Sequence, residues 1–339
     1  MPQPSRQNRR PLTVVVTGAS AGLGRAASLA FAKHGCNVGL IARDTERLRQ
    51  AFDEVEQAGA RGLALPADVS DADAVERAAD RAAAEFGSID VWVNCAMASV
   101  FSPLSEMTPA EFRRVTEVTY LGYVHGTMAA LKRMRPNNCG TIVQVGSALS
   151  YRSIPLQSAY CGAKFAIRGF TDSLRSELVH DGSRIRITMV QMPALNTPQF
   201  DWSRNKMPRR AKPLGAIFQP EVGARAVLYA AMKAPRELWV GSSTLEAIMG
   251  AMVTPGLLDR YLGRKAFSGQ MSDEPACASD PDNLFSPASG EFGAHGRFDA
   301  DALDASWVAV DPAALKMVGT AALGILLAGI FVVLRHAKR

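Results

Sequence analysis

Uncharged, β-branched runs alternate with stretches of helical apolar spacing through the first two thirds of the chain. Leu12 to Thr17 reads as a buried strand after a basic leader, residues 1–11. Leu23 to His34 then carries apolar positions at helical spacing, and Asn37 to Ala42 reads as a second strand. A third strand precedes Asp68, and Val91 to Ala96, Thr141 to Val145 and Ile185 to Gln191 supply further buried strands. Strand and helix in alternation predict an α/β fold: a doubly wound parallel sheet in one catalytic domain over residues 12–267.

The pattern changes after Phe267. Residues 268–312 are rich in Pro, Gly, Ser and Asp. Acids stand at Asp273, Glu274, Asp280, Asp282, Glu291, Asp299, Asp301, Asp304 and Asp311, against Arg297. This composition predicts a flexible acidic linker. Met317 to Leu334 then runs without a charge, and eighteen helical residues span ~27 Å, close to a bilayer's hydrocarbon thickness. Residues 313–335 are therefore expected to form a C-terminal transmembrane helix, followed by a basic tail at 336–339. The Gly324/Ala328 spacing permits close pairing of two such helices.

Composition narrows the function classes. The chain of 339 residues carries 38 Lys and Arg against 32 Asp and Glu, a formal net charge of +6, without a nucleic-acid-binding motif, so no nucleic-acid partner is expected. Its five cysteines are scattered and lack a paired metal spacing, which predicts a reducing compartment and no metal site. No secretory signal precedes the first strand. The catalytic domain is expected in the cytoplasm, anchored to the inner face of a membrane.

Candidate chemistry lies at two places. Where the first strand ends, Thr17-Gly18-Ala19-Ser20-Ala21-Gly22-Leu23-Gly24 forms a turn whose glycines let backbone N–H groups approach a pyrophosphate at a helix N-terminus. The second strand ends at Ala42-Arg43, where an acid would bond a ribose hydroxyl and a cation accommodates a 2′-phosphate, so NADP is favoured over NAD. Tyr160 and Lys164 lie one helical turn apart on one face, and Ser147 follows a strand thirteen residues upstream of Tyr160. A phenol beside an ammonium and a hydroxyl can protonate a carbonyl, with the cation expected to lower the phenol's pKa.

With these motifs in this order, the chain from about Leu12 to Val240 resembles the classical short-chain dehydrogenase/reductase family, as a bacterial-type member with a C-terminal anchor. The resemblance implies a Rossmann-like fold with Ser147, Tyr160 and Lys164 as catalytic residues. Thr119, where the family usually has an asparagine, would complete the relay. It further implies cofactor contacts from Gly18, Ser20, Gly22, Leu23, Gly24 and Arg43, from Asp68 and Val69 at the adenine, and from Asn94, Ala96, Tyr160, Lys164, Pro193 and Thr197. Met97 stands where the family has glycine, and Ala194 where a glycine usually follows the proline. A homo-oligomer built on the helices near Tyr123 and Tyr160 is also implied.

Between Leu195 and Pro220, Phe200, Trp202, Met207 and Phe218 are interspersed with Arg204, Lys206, Arg209, Arg210 and Lys212. This stretch reads as a substrate lid suited to an apolar carbonyl or alcohol, its basic run more often a solvated face than a phosphate or membrane contact. The leading expectation is a membrane-anchored NADP-dependent reductase of a lipophilic ketone or aldehyde. A non-catalytic nucleotide sensor or scaffold and an NAD-dependent alcohol dehydrogenase are the alternatives.

Overall fold

The structure, a computed structural model, describes residues 10–277, 279–306 and 309–312. In chain order its elements are β1 (Thr13–Thr17), α1 (Gly22–Lys33), β2 (Asn37–Ala42), α2 (Thr45–Gln57), β3 (Gly62–Pro66), α3 (Ala72–Phe86), β4 (Val91–Asn94) and β5 (Val100–Phe101). They continue with α4 (Pro109–Thr116), α5 (Gly122–Met134), β6 (Gly140–Ser147), α6 (Ser158–His180), β7 (Ile185–Met192), β8 (Ala194–Leu195), α7 (Gln199–Trp202), β9 (Arg204–Asn205), β10 (Arg209–Ala211) and β11 (Ile217–Phe218). The last are α8 (Pro220–Lys233), β12 (Glu237–Val240), α9 (Ser242–Val253), α10 (Pro255–Gly269), β13 (Met271–Pro275) and β14 (Ala309–Val310).

Strand order in the main sheet is β14-β12-β7-β6-β4-β1-β2-β3, parallel throughout except for β14 on β12. Alternate residues of one strand serve opposite faces. Val14 and Val16 join a core cluster with residues of α1, α2 and α8, whereas Val15 joins the cluster fed by α3, α5 and α6. Local signals set the helix starts: Asp44 and Asp71 accept from the backbone N–H groups of Arg47 and Ala74, and Thr108 with Glu111 forms a reciprocal capping box at α4. β1 is flanked by β2 and β4, so the order reverses there and a crevice opens at the carboxyl ends of the strands.

The described part of 268–312 departs from the expected flexible linker. β13 pairs antiparallel with β10 of the lid. Residues 280–299 then run back over the sheet's carboxyl end, where Asn283 N–H donates to Trp202 O at 2.9 Å and Gly22 N–H donates to Gly293 O at 2.9 Å. The reason is charge complementarity. Arg204 pairs with Asp282, Arg209 with Asp273, Arg210 with Glu274 and Arg297 with Asp201. Arg204 and Arg210 of the lid are thus engaged by this acidic segment, Lys206 pairs instead with Glu111 of α4, and Arg209 meets Asp273 at the exposed surface.

Among the described residues no helix is long and apolar enough to cross a membrane. The span expected at 313–335 and the tail at 336–339 lie outside those residues, as does most of the leader.

Candidate active site

A cavity of about 510 Å³ occupies the crevice, running from the glycine turn past Ser147, Tyr160 and Lys164 to α9 and α10. At its cradle end the backbone requires glycine. Gly18 has φ +71° and a Cβ there would stand 2.8 Å from Ala96 Cα; a Cβ on Gly24 would run into Gly18 O. A cradle with no room for side chains at these points, opening at the start of α1, fits the pyrophosphate of a dinucleotide. Ser20, Gly22, Leu23, Val69, Ala96, Met97, Pro193 and Thr197 also line the cavity.

At the adenosine end Arg43 and Asp68 face the cavity, with their side chains 3.8 Å apart. Burial pushes the Asp68 carboxyl upward, but hydrogen bonds from Arg114 and Ser70 prevail and hold it below the usual range. Arg47, which belongs to no motif in the sequence, lines the same end. Its guanidinium lies 5.3 Å from the Trp202 ring and 5.6 Å from the Phe292 ring, and joins the cradle to the lid and to the acidic segment.

At the reacting end β6 delivers Ser147 as its last residue, and α6 presents Tyr160 and Lys164 one turn apart. The Ser147 side chain stands next to the Tyr160 phenol and acts to pull its pKa down. Burial pushes Tyr160 well above its ordinary value, so the phenol keeps its proton; the expected depression by Lys164 is not what this arrangement produces. Lys164 is buried, and desolvation pulls it down to about 8. Its ammonium donates to Val145 O at 2.7 Å and to the Tyr123 hydroxyl at 3.2 Å, and lies 5.5 Å from the Tyr160 ring centroid.

Two expected site residues stand away from the cavity. Asn94 is fully buried: its amide donates to Tyr123 O, Thr127 Oγ1 and Gln144 Oε1 and accepts from Trp92 Nε1. These bonds tie β4 to β6 and α5. Thr119 sits in a π-type turn, Glu117–Leu121, where its hydroxyl both donates to Ala98 O at 2.9 Å and accepts from Ala98 N–H at 3.0 Å. Its hydrogen bonds hold the loop behind Met97, and of Thr119 and Tyr123 it is Tyr123 whose hydroxyl bonds Lys164. One turn past Thr119 on the same helical run, Tyr123 had spacing as its only signal in the sequence.

A family model for short chain dehydrogenases matches residues 12–208. Among curated relatives, the chain is 30% identical over 279 residues to the uncharacterized oxidoreductase YxnA of Bacillus subtilis (strain 168), covering 82% of this chain and 78% of that one. It is 32% identical over 223 residues to a 3-dehydrosphinganine reductase of Danio rerio, covering 63% of this chain and 67% of that one. Among solved structures it is similar to an alcohol dehydrogenase from the archaeon Thermococcus sibiricus complexed with 5-hydroxy-NADP, with TM-score 0.59 and 27% identity over 68% of this chain and 96% of that one. A short chain dehydrogenase from Mycobacterium paratuberculosis bound to NAD shares the fold, with TM-score 0.58 and 23% identity over 66% of this chain and 92% of that one.

Proposed function

Because this chain belongs to the short-chain dehydrogenase family and is an NAD(P)-dependent oxidoreductase acting on CH–OH or C=O groups, we propose that it reduces a ketone or aldehyde on a lipophilic molecule, using NADPH. The observation that carries the reading is one cavity with three kinds of wall. Arg43 stands at its adenosine end, Ser147 and Tyr160 in the middle, and Met97, Leu149, Ile154, Phe200, Leu258 and Leu262 at the substrate side. The nicotinamide, when bound, supplies the hydride. Ser147 positions the substrate oxygen by hydrogen bonding, and Tyr160, protonated at neutral pH, gives the proton. Tyr123 and Val145 O orient the Lys164 ammonium beneath them.

A lipophilic substrate is supported by the shape of α10, whose only fully buried residue is Ala266. Leu257 and Tyr261 are 64% and 60% exposed, and Tyr261 also lines the cavity mouth. Arg260, Arg264 and Lys265 are exposed on the same helix. An apolar surface edged with cations beside the entrance suits a substrate that arrives from an anionic bilayer. The relative named as a 3-dehydrosphinganine reductase is consistent with a lipid substrate. Residues 313–335 would hold the enzyme at that bilayer with its catalytic domain cytoplasmic. A homo-oligomer through α5 and α6 accords with the exposure of Met128 and Phe165.

The test is NADPH and NADH consumption by the full chain against long-chain ketones and aldehydes and matching alcohols. NADPH oxidation with a long-chain carbonyl, lost in Tyr160→Phe, is the expected result. Binding of either nucleotide without turnover on any carbonyl or alcohol would replace this reading with a nucleotide sensor.

A further inference from the structure

The polar groups at the adenosine end of the cavity are held from outside the family-matched residues. Three consecutive backbone carbonyls in the acidic segment accept from the two arginines that flank Asp68. Asn283 O accepts from Arg43 Nη2 at 2.7 Å, Leu284 O from Arg114 Nε at 3.0 Å, and Phe285 O from Arg43 Nη1 at 3.3 Å. Asn283 and Pro287 themselves line the cavity. The side chain between the two Arg43 acceptors is Leu284, 1% exposed and part of the core cluster that includes Val69, Val115 and Val118. On the solvent side Asp282 Oδ1 accepts from Leu284 N–H at 2.8 Å, and Asp282 pairs with Arg204 of the lid.

We infer that the turn 283–285 is a working part of the cofactor site, with Leu284 the positioning residue that fixes Arg43 to select a 2′-phosphate. Carbonyls accept hydrogen bonds without a formal charge, so they set the plane of a guanidinium and leave its charge in place. Asp68 makes only a long ion pair with Arg43, at 3.8 Å, because Arg114 holds the same carboxylate oxygen at closer range. Arg43 is therefore both cationic and immobilised facing the cavity. A free arginine would lose rotamer freedom on meeting the phosphate; one already clamped loses less, and the difference enters affinity directly. Arg47 pins the next stretch of the segment by donating to Ala288 O at 2.7 Å and Gly290 O at 3.1 Å.

The inference rests on the NADPH reading above, and its test separates the two. Dissociation constants for NADPH and NADH are measured by fluorescence titration on the full chain as wild type, Leu284→Met, Leu284→Ala, Arg43→Ala and Leu284→Ala/Arg43→Ala. Thermal midpoints establish that each variant is folded. A wild-type preference for NADPH is expected, retained in Leu284→Met and reduced about five- to tenfold in Leu284→Ala, the range set by immobilising one long side chain. The double variant should show the selectivity of Arg43→Ala alone, since Leu284 acts through Arg43. Should Leu284→Ala fail to fold, Asp282→Ala loosens the same turn from its solvent side and should reduce the preference in the same direction. Parallel loss of both nucleotides, unchanged selectivity, or additive losses in the double variant would overturn the positioning role. A wild type that binds both nucleotides equally overturns the NADPH reading before any variant is compared, and this inference with it.

Discussion

A phenol held protonated is a donor, and Tyr160 is such a phenol because burial raises its pKa and Ser147 only partly offsets that. Tyr160→Phe is expected to lower turnover by about 10²–10⁴-fold, the usual share of a positioned proton donor, with nucleotide dissociation constants unchanged by titration. Lys164 carries the opposite sign. Its folded pKa, down to about 8 through desolvation, lies below the ordinary 10.5. Between these values the unfolded chain binds the extra proton, so stability rises with pH across that window, and the cost of burying the ammonium is fully present below it. The thermal-midpoint advantage of Lys164→Met over wild type should shrink as pH climbs from 8 to 10.5. Tyr123→Phe removes one of the two groups that hold Lys164 and should cost about 1 kcal/mol of stability by denaturant titration. It should also displace the pH profile of turnover, which a purely structural tyrosine would leave in place.

Elements position these residues through a few rigid junctions. The β1–α1 junction is the least tolerant, because Gly24 packs against the carbonyl of Gly18. Gly24→Ala should abolish nucleotide binding while the circular dichroism of the remaining sheet and helices stays close to wild type. The junction between α4 and the lid is electrostatic. Burial pushes Glu111 upward, yet hydrogen bonds from Lys206, Thr108 and Arg204 outweigh it and bring its carboxyl down to about 2. A depressed carboxylate contributes stability above its ordinary pKa of 4.5 and loses it as pH falls toward 2. Glu111→Gln should therefore cost roughly 2 kcal/mol near pH 7, from lost charge-assisted hydrogen bonds. That difference should close in melts taken near pH 2.

On the scale of the whole molecule, the lid, the cradle and the acidic segment form one connected surface. Phe200 packs on Phe298, Trp202 on Phe292, and Arg297 ties Asp201, Phe200 O and Ala211 O together. The exposed face of α10 lies at the open end of that assembly. Replacing Leu257 and Tyr261 together by serine should reduce turnover of a carbonyl presented in anionic vesicles by about tenfold or more, for the loss of two interfacial apolar side chains. Turnover of the same compound dispersed in detergent should fall less, by the share that Tyr261 contributes at the cavity mouth. The alternation of strands and helices, the glycine cradle, Arg43, Ser147, Tyr160 and Lys164 were all determined by the sequence alone, because each depends on local spacing or on a turn that only glycine can make. The contacts of Asn94, Thr119, Tyr123, Arg47 and Leu284 were decided by tertiary structure. A buried amide or hydroxyl bonds whatever partner the fold brings within reach. The acidic tail segment and the basic lid are separated by more than sixty positions in the chain, so their pairing carries no local signature; only folding brings the opposite charges together.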